Sequence, residues 1–298
     1  MWKKPTYHLK SIYIKFRVNN TKEMGISKTK RFEIDEFTLD WTVDAEKFRA
    51  RVKNYRNILL AGFPPMGNIV PYHIKELLPD SENIVNLYSY NFPPMVEARE
   101  EEFEIPHDEL WYSEEKRLFC YIGKYLETEY IPKSAYKQVE GVAHLAEELG
   151  VKELYTVGVI MPTQEPFRKL KGEVEAYVGF FEGSRKELPN RVEKMTRKNI
   201  GRYTIIRKTG LLPGFASKLG IESYSILGAG KYPEDLRACA RALRTFKHLA
   251  RLELDTGRID AMFEKSAEAV EARIKEQRKK AAYRGEGLGA EPSQYMYG

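Results

Sequence analysis

The residues best placed for chemistry lie in one stretch, Gly62-Phe63-Pro64-Pro65-Met66-Gly67, followed six residues on by His73. A Gly-x-x-x-x-Gly run entering a helix is a frame in which backbone amides can cradle a phosphate. Here no Lys-Ser/Thr follows Gly67, and Pro64 and Pro65 remove two of the N–H donors such a cradle uses. Glycine and proline therefore read first as the makers of a tight strand-to-helix turn. Gly62, Phe63, Pro64, Met66, Gly67 and His73 stand as a candidate loop site. The enzymatic alternative is a nucleotide- or nucleoside-handling protein that uses them. His73 falls one turn into the helix and has no partner that the sequence identifies. The other histidines, His8, His107, His144 and His248, are scattered. No Gly-x-Ser-x-Gly elbow, Cys-x-x-Cys pair or His-x-x-x-His spacing occurs. No catalytic residue, metal set or cofactor is assigned, and the chain reads as a non-enzyme.

The elements that must hold the loop are legible on either side. Ile58 to Ala61 is a short apolar run, the mark of a strand buried on both faces. From Gly67 the apolar positions Ile69, Val70, Ile74, Leu77 and Leu78 recur at helical spacing. Strands are expected at Ile84–Tyr90, Leu118–Ile122 and Leu154–Met161, with a helix between the last two that Ser134 caps and Gly150 closes. This alternation predicts an α/β fold, a three-layer α/β/α sandwich with a mainly parallel central sheet. Ligands of open α/β sheets bind outside the carboxyl ends of the strands, where this loop lies.

Residues 1–56 read as an N-terminal β-hairpin extension: Ile12–Val18 and Phe37–Val43 each alternate with period two, around a polar loop at Gly25. The segment holds fourteen Lys/Arg against seven Asp/Glu, whereas 80–115 holds eleven acids and one base and reads as a solvated loop. Such segregation suits complementary contacts between copies of the chain, hence a homo-oligomer. The main domain is expected over 57–284. Within it, 163–202 forms a variable insertion whose basic run from Arg185 to Arg202 reads as a solvated, flexible connection. Beyond it, Val174–Phe181 and Ser223–Leu227 suggest strands. Pro213–Leu219 suggests a short helix, Pro233 opens another, and Ile259 to Ile274 mark the last. Residues 285–298 form a flexible C-terminal tail, glycine-rich at its start. The pI near 9.0 is moderate, so nucleic acid ranks below protein as a partner, an RNA- or ribosome-associated role being the third reading. Cys120 and Cys239 fit buried free thiols, and no apolar run reaches membrane-spanning length, so a soluble, cytoplasmic protein is expected.

In this order of landmarks the chain resembles the proteasome-assembly-chaperone family in its archaeal form. The family's Gly-Phe-Pro-Gly-x-Gly after a strand is matched by Gly62-Phe63-Pro64-Pro65-Met66-Gly67, with Pro65 in place of glycine. Phe92-Pro93-Pro94, Leu149–Gly158, Thr209–Gly220, Tyr232–Asp235 and Leu252–Thr256 follow in sequence. The resemblance implies an α/β/α domain without established catalysis that assembles into rings or smaller oligomers. The end, Met296-Tyr297-Gly298, is similar to the hydrophobic–tyrosine–any (HbYX-like) tail with which proteasome activators and assembly factors insert between α-ring subunits. A terminal carboxylate pairs with a lysine, the tyrosine ring fills a slot, and the preceding apolar side chain packs. The expected partner is the proteasome core particle, met as chaperone or adaptor.

Overall fold

The structure is a computed structural model that describes residues 31–34, 37–89, 92, 95–99, 102–125, 132–160, 174–196, 205, 207–232 and 234–283. In chain order its first half runs β1 (Arg31–Ile34), β2 (Phe37–Trp41), α1 (Ala45–Val52), β3 (Asn57–Gly62), α2 (Ile69–Leu77), β4 (Glu82–Ser89), β5 (Glu97–Arg99), β6 (Glu102–Glu104), β7 (Asp108–Ser113) and β8 (Leu118–Ile122). The second half runs α3 (Pro132–Glu148), β9 (Val151–Ile160), β10 (Ala176–Phe180), β11 (Val192–Lys194), α4 (Arg207–Lys218), β12 (Glu222–Ala229), α5 (Leu236–Ala250) and α6 (Gly257–Tyr283).

Ten strands form one sheet in the order β1-β2-β4-β7-β8-β3-β9-β12-β10-β11. The fold is α/β with helices on both faces, but the sheet is mixed rather than mainly parallel. Five of its nine neighbouring pairs are antiparallel; the parallel ones are the central block β8-β3-β9-β12 and the edge pair β10–β11. For β4, β7 and β8 the cause lies in the connections. Among the described residues no helix intervenes between β4 and β8, and strands joined without a crossover pair antiparallel.

Both faces are covered. On one, α1, α3 and α4 pack on Leu59, Ala61, Phe119 and Leu154. On the other, α2, α5 and α6 pack on Ile58, Leu60, Tyr155 and Val157. Alternate residues of β3 thus serve opposite layers, which is why the strand carries no polar side chain after Asn57. Each large side chain fully buried here, such as Phe119 or Phe246, contributes about 1.5–3 kcal/mol.

The N-terminal strand at Phe37 alternates as expected, Leu39 and Trp41 turning inward, and β2 pairs with β4 to continue the main sheet. Ile12–Val18 and Gly25 lie outside the described residues. Helix α1 was not foreseen. Its Ala45, Phe48 and Val52 make an i, i+3, i+7 stripe, and the Asp44 carboxylate accepts from Lys47 N at 3.2 Å as its cap. The acidic stretch 80–115 is no simple solvated loop either, because it contains the buried strand β7. The described part of the basic run is likewise anchored rather than solvated: Lys186 donates to Tyr155 Oη at 2.5 Å, to Leu249 O at 2.6 Å and to the Glu153 carboxylate. Residues 197–204, Pro233 and the tail with Met296, Tyr297 and Gly298 lie outside the described residues. Cys120 and Cys239 are buried free thiols, as expected. Among the described residues no helix is long and apolar enough to cross a membrane.

Candidate functional site

The Gly62–Gly67 loop closes on itself at the carboxyl end of β3. A Cβ on Gly62 would lie 2.1 Å from Gly67 O, and one on Gly67 would lie 2.2 Å from Val157 O and 2.9 Å from Phe63 O. These glycines let backbone meet backbone, which any side chain would prevent. Asn68 N donates to Phe63 O at 3.2 Å, and Ile69 N to Met66 O at 3.3 Å, so these two amides are spent within the turn. Cys239 Sγ, from α5, donates to Met66 O at 3.6 Å.

The loop divides its side chains between the two layers. Phe63, 3% exposed, joins the α1/α3/α4 core, whereas Met66 joins the other. His73 goes with Met66's side: its ring packs edge-on against Phe263 of α6, with centroids 5.3 Å apart. Burial pulls its pKa below the ordinary imidazole value, against the neighbouring Glu76. The structure therefore gathers Gly62, Phe63, Pro64, Met66 and Gly67 into one turn but does not direct His73 into a common site with Phe63.

Beneath Phe63 lies a polar cluster that the sequence did not single out. The Phe63 ring packs 5.5 Å from Tyr121, and Lys208 Nζ lies 5.6 Å from the Phe63 centroid and 5.9 Å from that of Phe92. Asp108, fully buried, accepts from Tyr121 Oη and Gln138 Nε2 at 2.6 Å each, and from Lys124 N at 2.7 Å. Burial raises its pKa, opposed by the Lys208 ammonium and the Tyr121 hydroxyl. Lys208 sits in the first turn of α4. That turn is fixed because Thr209 O accepts from Thr156 Oγ1 at 2.6 Å and from Ser225 Oγ at 2.7 Å. The neighbouring Glu109 is held well below the carboxylate range. Burial works against this, but hydrogen bonds from His107, Lys124 and Trp111 prevail. The only hint in sequence was Leu110 and Tyr112 alternating behind an acid, a strand signal masked by the charge.

Chemically this is a sealed arrangement. Asp108 meets three donors, and both thiols are raised by burial, Cys239 to about 12, which leaves them as thiols at neutral pH. Among the described residues, no group of three or more His, Cys, Asp or Glu is placed to hold a metal ion. What the carboxyl edge offers is a rigid surface at a strand-to-helix turn.

A model of the PAC2 family matches residues 59–278, from β3 to within α6. In three dimensions the chain is similar to Pyrococcus furiosus PbaB, described as an archaeal proteasome activator, with a TM-score of 0.64 at 20% identity. The likeness covers 82% of this chain and 100% of that one. It is similar also to P. furiosus PbaA, described as an archaeal homolog of proteasome-assembly chaperone, with a TM-score of 0.55 at 18% identity over 76% and 95% of the two chains. A Thermoplasma acidophilum protein of unknown function gives a TM-score of 0.56 at 12% identity over 82% and 97%. At these identities the likeness is one of fold. No curated protein matches the sequence.

Proposed function

This chain belongs to the PAC2 family, and from that membership we propose that it is a non-enzymatic, cytoplasmic, proteasome-associated protein. It docks on the α-ring of the core particle through Met296-Tyr297-Gly298, as an assembly chaperone or adaptor of the archaeal type. The observation that carries this reading is the hydrophobic–tyrosine–any end on a PAC2 chain. The names given to PbaB and PbaA, proteins of similar fold, support it. So does the closed loop, whose packed glycines and prolines leave little for a phosphate to bind.

The last described element, α6, runs to Tyr283, and 285–295 lie between it and the docking residues in sequence. As a flexible coil those eleven residues span roughly 18 Å root-mean-square, enough to carry the tail from the body to a pocket. One tail buries few atoms and binds weakly; several tails on one homo-oligomer bind far better, each later tail engaging at high effective concentration. Co-sedimentation with purified core particle tests this. Tyr297→Ala and removal of Met296–Gly298 should each abolish binding while leaving the oligomer and its denaturation unchanged. Binding by the truncated chain as strong as wild type would move docking to the α/β body.

A further inference from the structure

Among the described residues, one stretch of the sheet lacks a helical cover. On β2, β4 and β7, residues Leu39, Trp41, Leu87, Leu110 and Tyr112 face the α1 layer. The alternate residues Thr38, Asp40, Asn86, Tyr88, Glu109 and Trp111 line the opposite face, which opens as a cleft of about 750 Å³. Its rim is the end of β6, where Glu104 and Ile105 line it and Ile105 is 65% exposed. In its wall stand Asp40 and Asn83, whose Oδ1 atoms are buried and accept no hydrogen bond among the described residues. Burying an acceptor without a donor is unfavourable. The cleft thus calls for a ligand that brings cationic donors and an apolar flank.

We infer that this cleft is the docking site of the chain's own basic segment, residues 1–30. The chain enters the sheet at Arg31, whose register partner across β1–β2 is Asp40, a wall residue of the cleft. The thirty residues before it carry eight lysines and arginines against the single acid Glu23. Ten of them, extended, reach about 33 Å, so length does not limit the approach. The run Ile12–Val18 has both properties the cleft requires. An extended segment carries Lys15 and Arg17 on one side and Ile14 and Phe16 on the other, one set suited to the carboxylates of the cleft and the other to the exposed Ile105. Opposite charge selects this segment, since Asp40 and Glu104 line the site.

The test uses the full chain and a triple variant, Lys10→Glu, Lys15→Glu and Arg17→Glu. Hydroxyl-radical footprinting reads the accessibility of Tyr88 and Ile105. These side chains should oxidise several-fold faster in the variant, and faster in wild type at about 1 M salt, where the Debye length falls to about 3 Å. Carbodiimide should link lysines of 1–30 to Asp40 or Glu104 in wild type, a readout that stands even if the variant folds poorly. In mixed light and heavy isotope samples those links should stay within one chain. Equal oxidation in wild type and a folded variant would overturn the inference. So would links to other carboxylates, or links joining light to heavy chains, which would make a second copy the occupant.

Discussion

Replacing Gly67 by alanine tests how the loop is built. The new Cβ would lie 2.2 Å from Val157 O and 2.9 Å from Phe63 O. A carbon normally approaches a carbonyl oxygen no closer than about 3.3 Å, so β9 and the loop must part by about 1 Å. Val157 is no free partner: it sits in register with Gly62 on one side and Ile226 on the other, at the centre of the parallel block. Neither strand can yield without disturbing a ladder, which places the cost at the upper end of overpacking, about 3 kcal/mol or more. Gly214→Ala is the control. In α4 its Cβ would lie 3.7 Å from Phe181, an ordinary contact, and should stabilise by about 0.5–1 kcal/mol through helix propensity. Urea unfolding reads both as shifts in midpoint at constant slope. If Gly67→Ala unfolds at the wild-type midpoint while Gly214→Ala shifts as stated, the glycines do not serve backbone packing. The anion reading of the loop would then return.

Calorimetric titration with ATP, GTP and nucleosides should be flat; micromolar binding would favour the enzymatic alternative. Glu153→Gln should cost about 3–5 kcal/mol at neutral pH in urea unfolding, because it leaves the ammonium of Lys186 without its carboxylate. Burial raises the Glu153 pKa, but hydrogen bonds from Lys186 and Tyr155 outweigh it and hold the group below 4.5. Its contribution is therefore complete above pH 4.5 and fades as pH falls through the folded value. The glutamine variant should lose less stability across that acid window, and equal losses would refute the assignment. Light scattering at moderate salt should give a multiple of 34.6 kDa; a monomer at tens of micromolar protein would count against self-association.

Elements whose apolar residues speak alone were legible. Leu118–Ile122 coincides with β8, and the strand-turn-helix at 57–78 stands where its pattern placed it. Strand direction was not, because alternation of strand and helix implies parallel pairing only where a helix separates the strands, and between β4 and β8 none does. Strand β7 was hidden by Asp108 and Glu109, acids that read as solvent-facing until Tyr121, Gln138 and Lys124 are seen to receive them. Lys186 deceived in the same way: a lysine in a basic run reads as surface, and only the fold brings Glu153 to meet it. Within the candidate loop, the backbone role of Gly62 and Gly67 followed from their neighbours in sequence. The parting of Phe63 and His73 to opposite layers needed the structure.

The claim that matters most is that the tail docks by its end. One residue added after Gly298 leaves Met296 and Tyr297 in place, cannot disturb the folded body, and displaces only the terminal carboxylate. Binding of this extended chain to purified core particle, measured beside wild type at matched oligomer mass, is the most direct test. The account predicts that wild type binds and the extended chain does not. Equal binding by the two would contradict it.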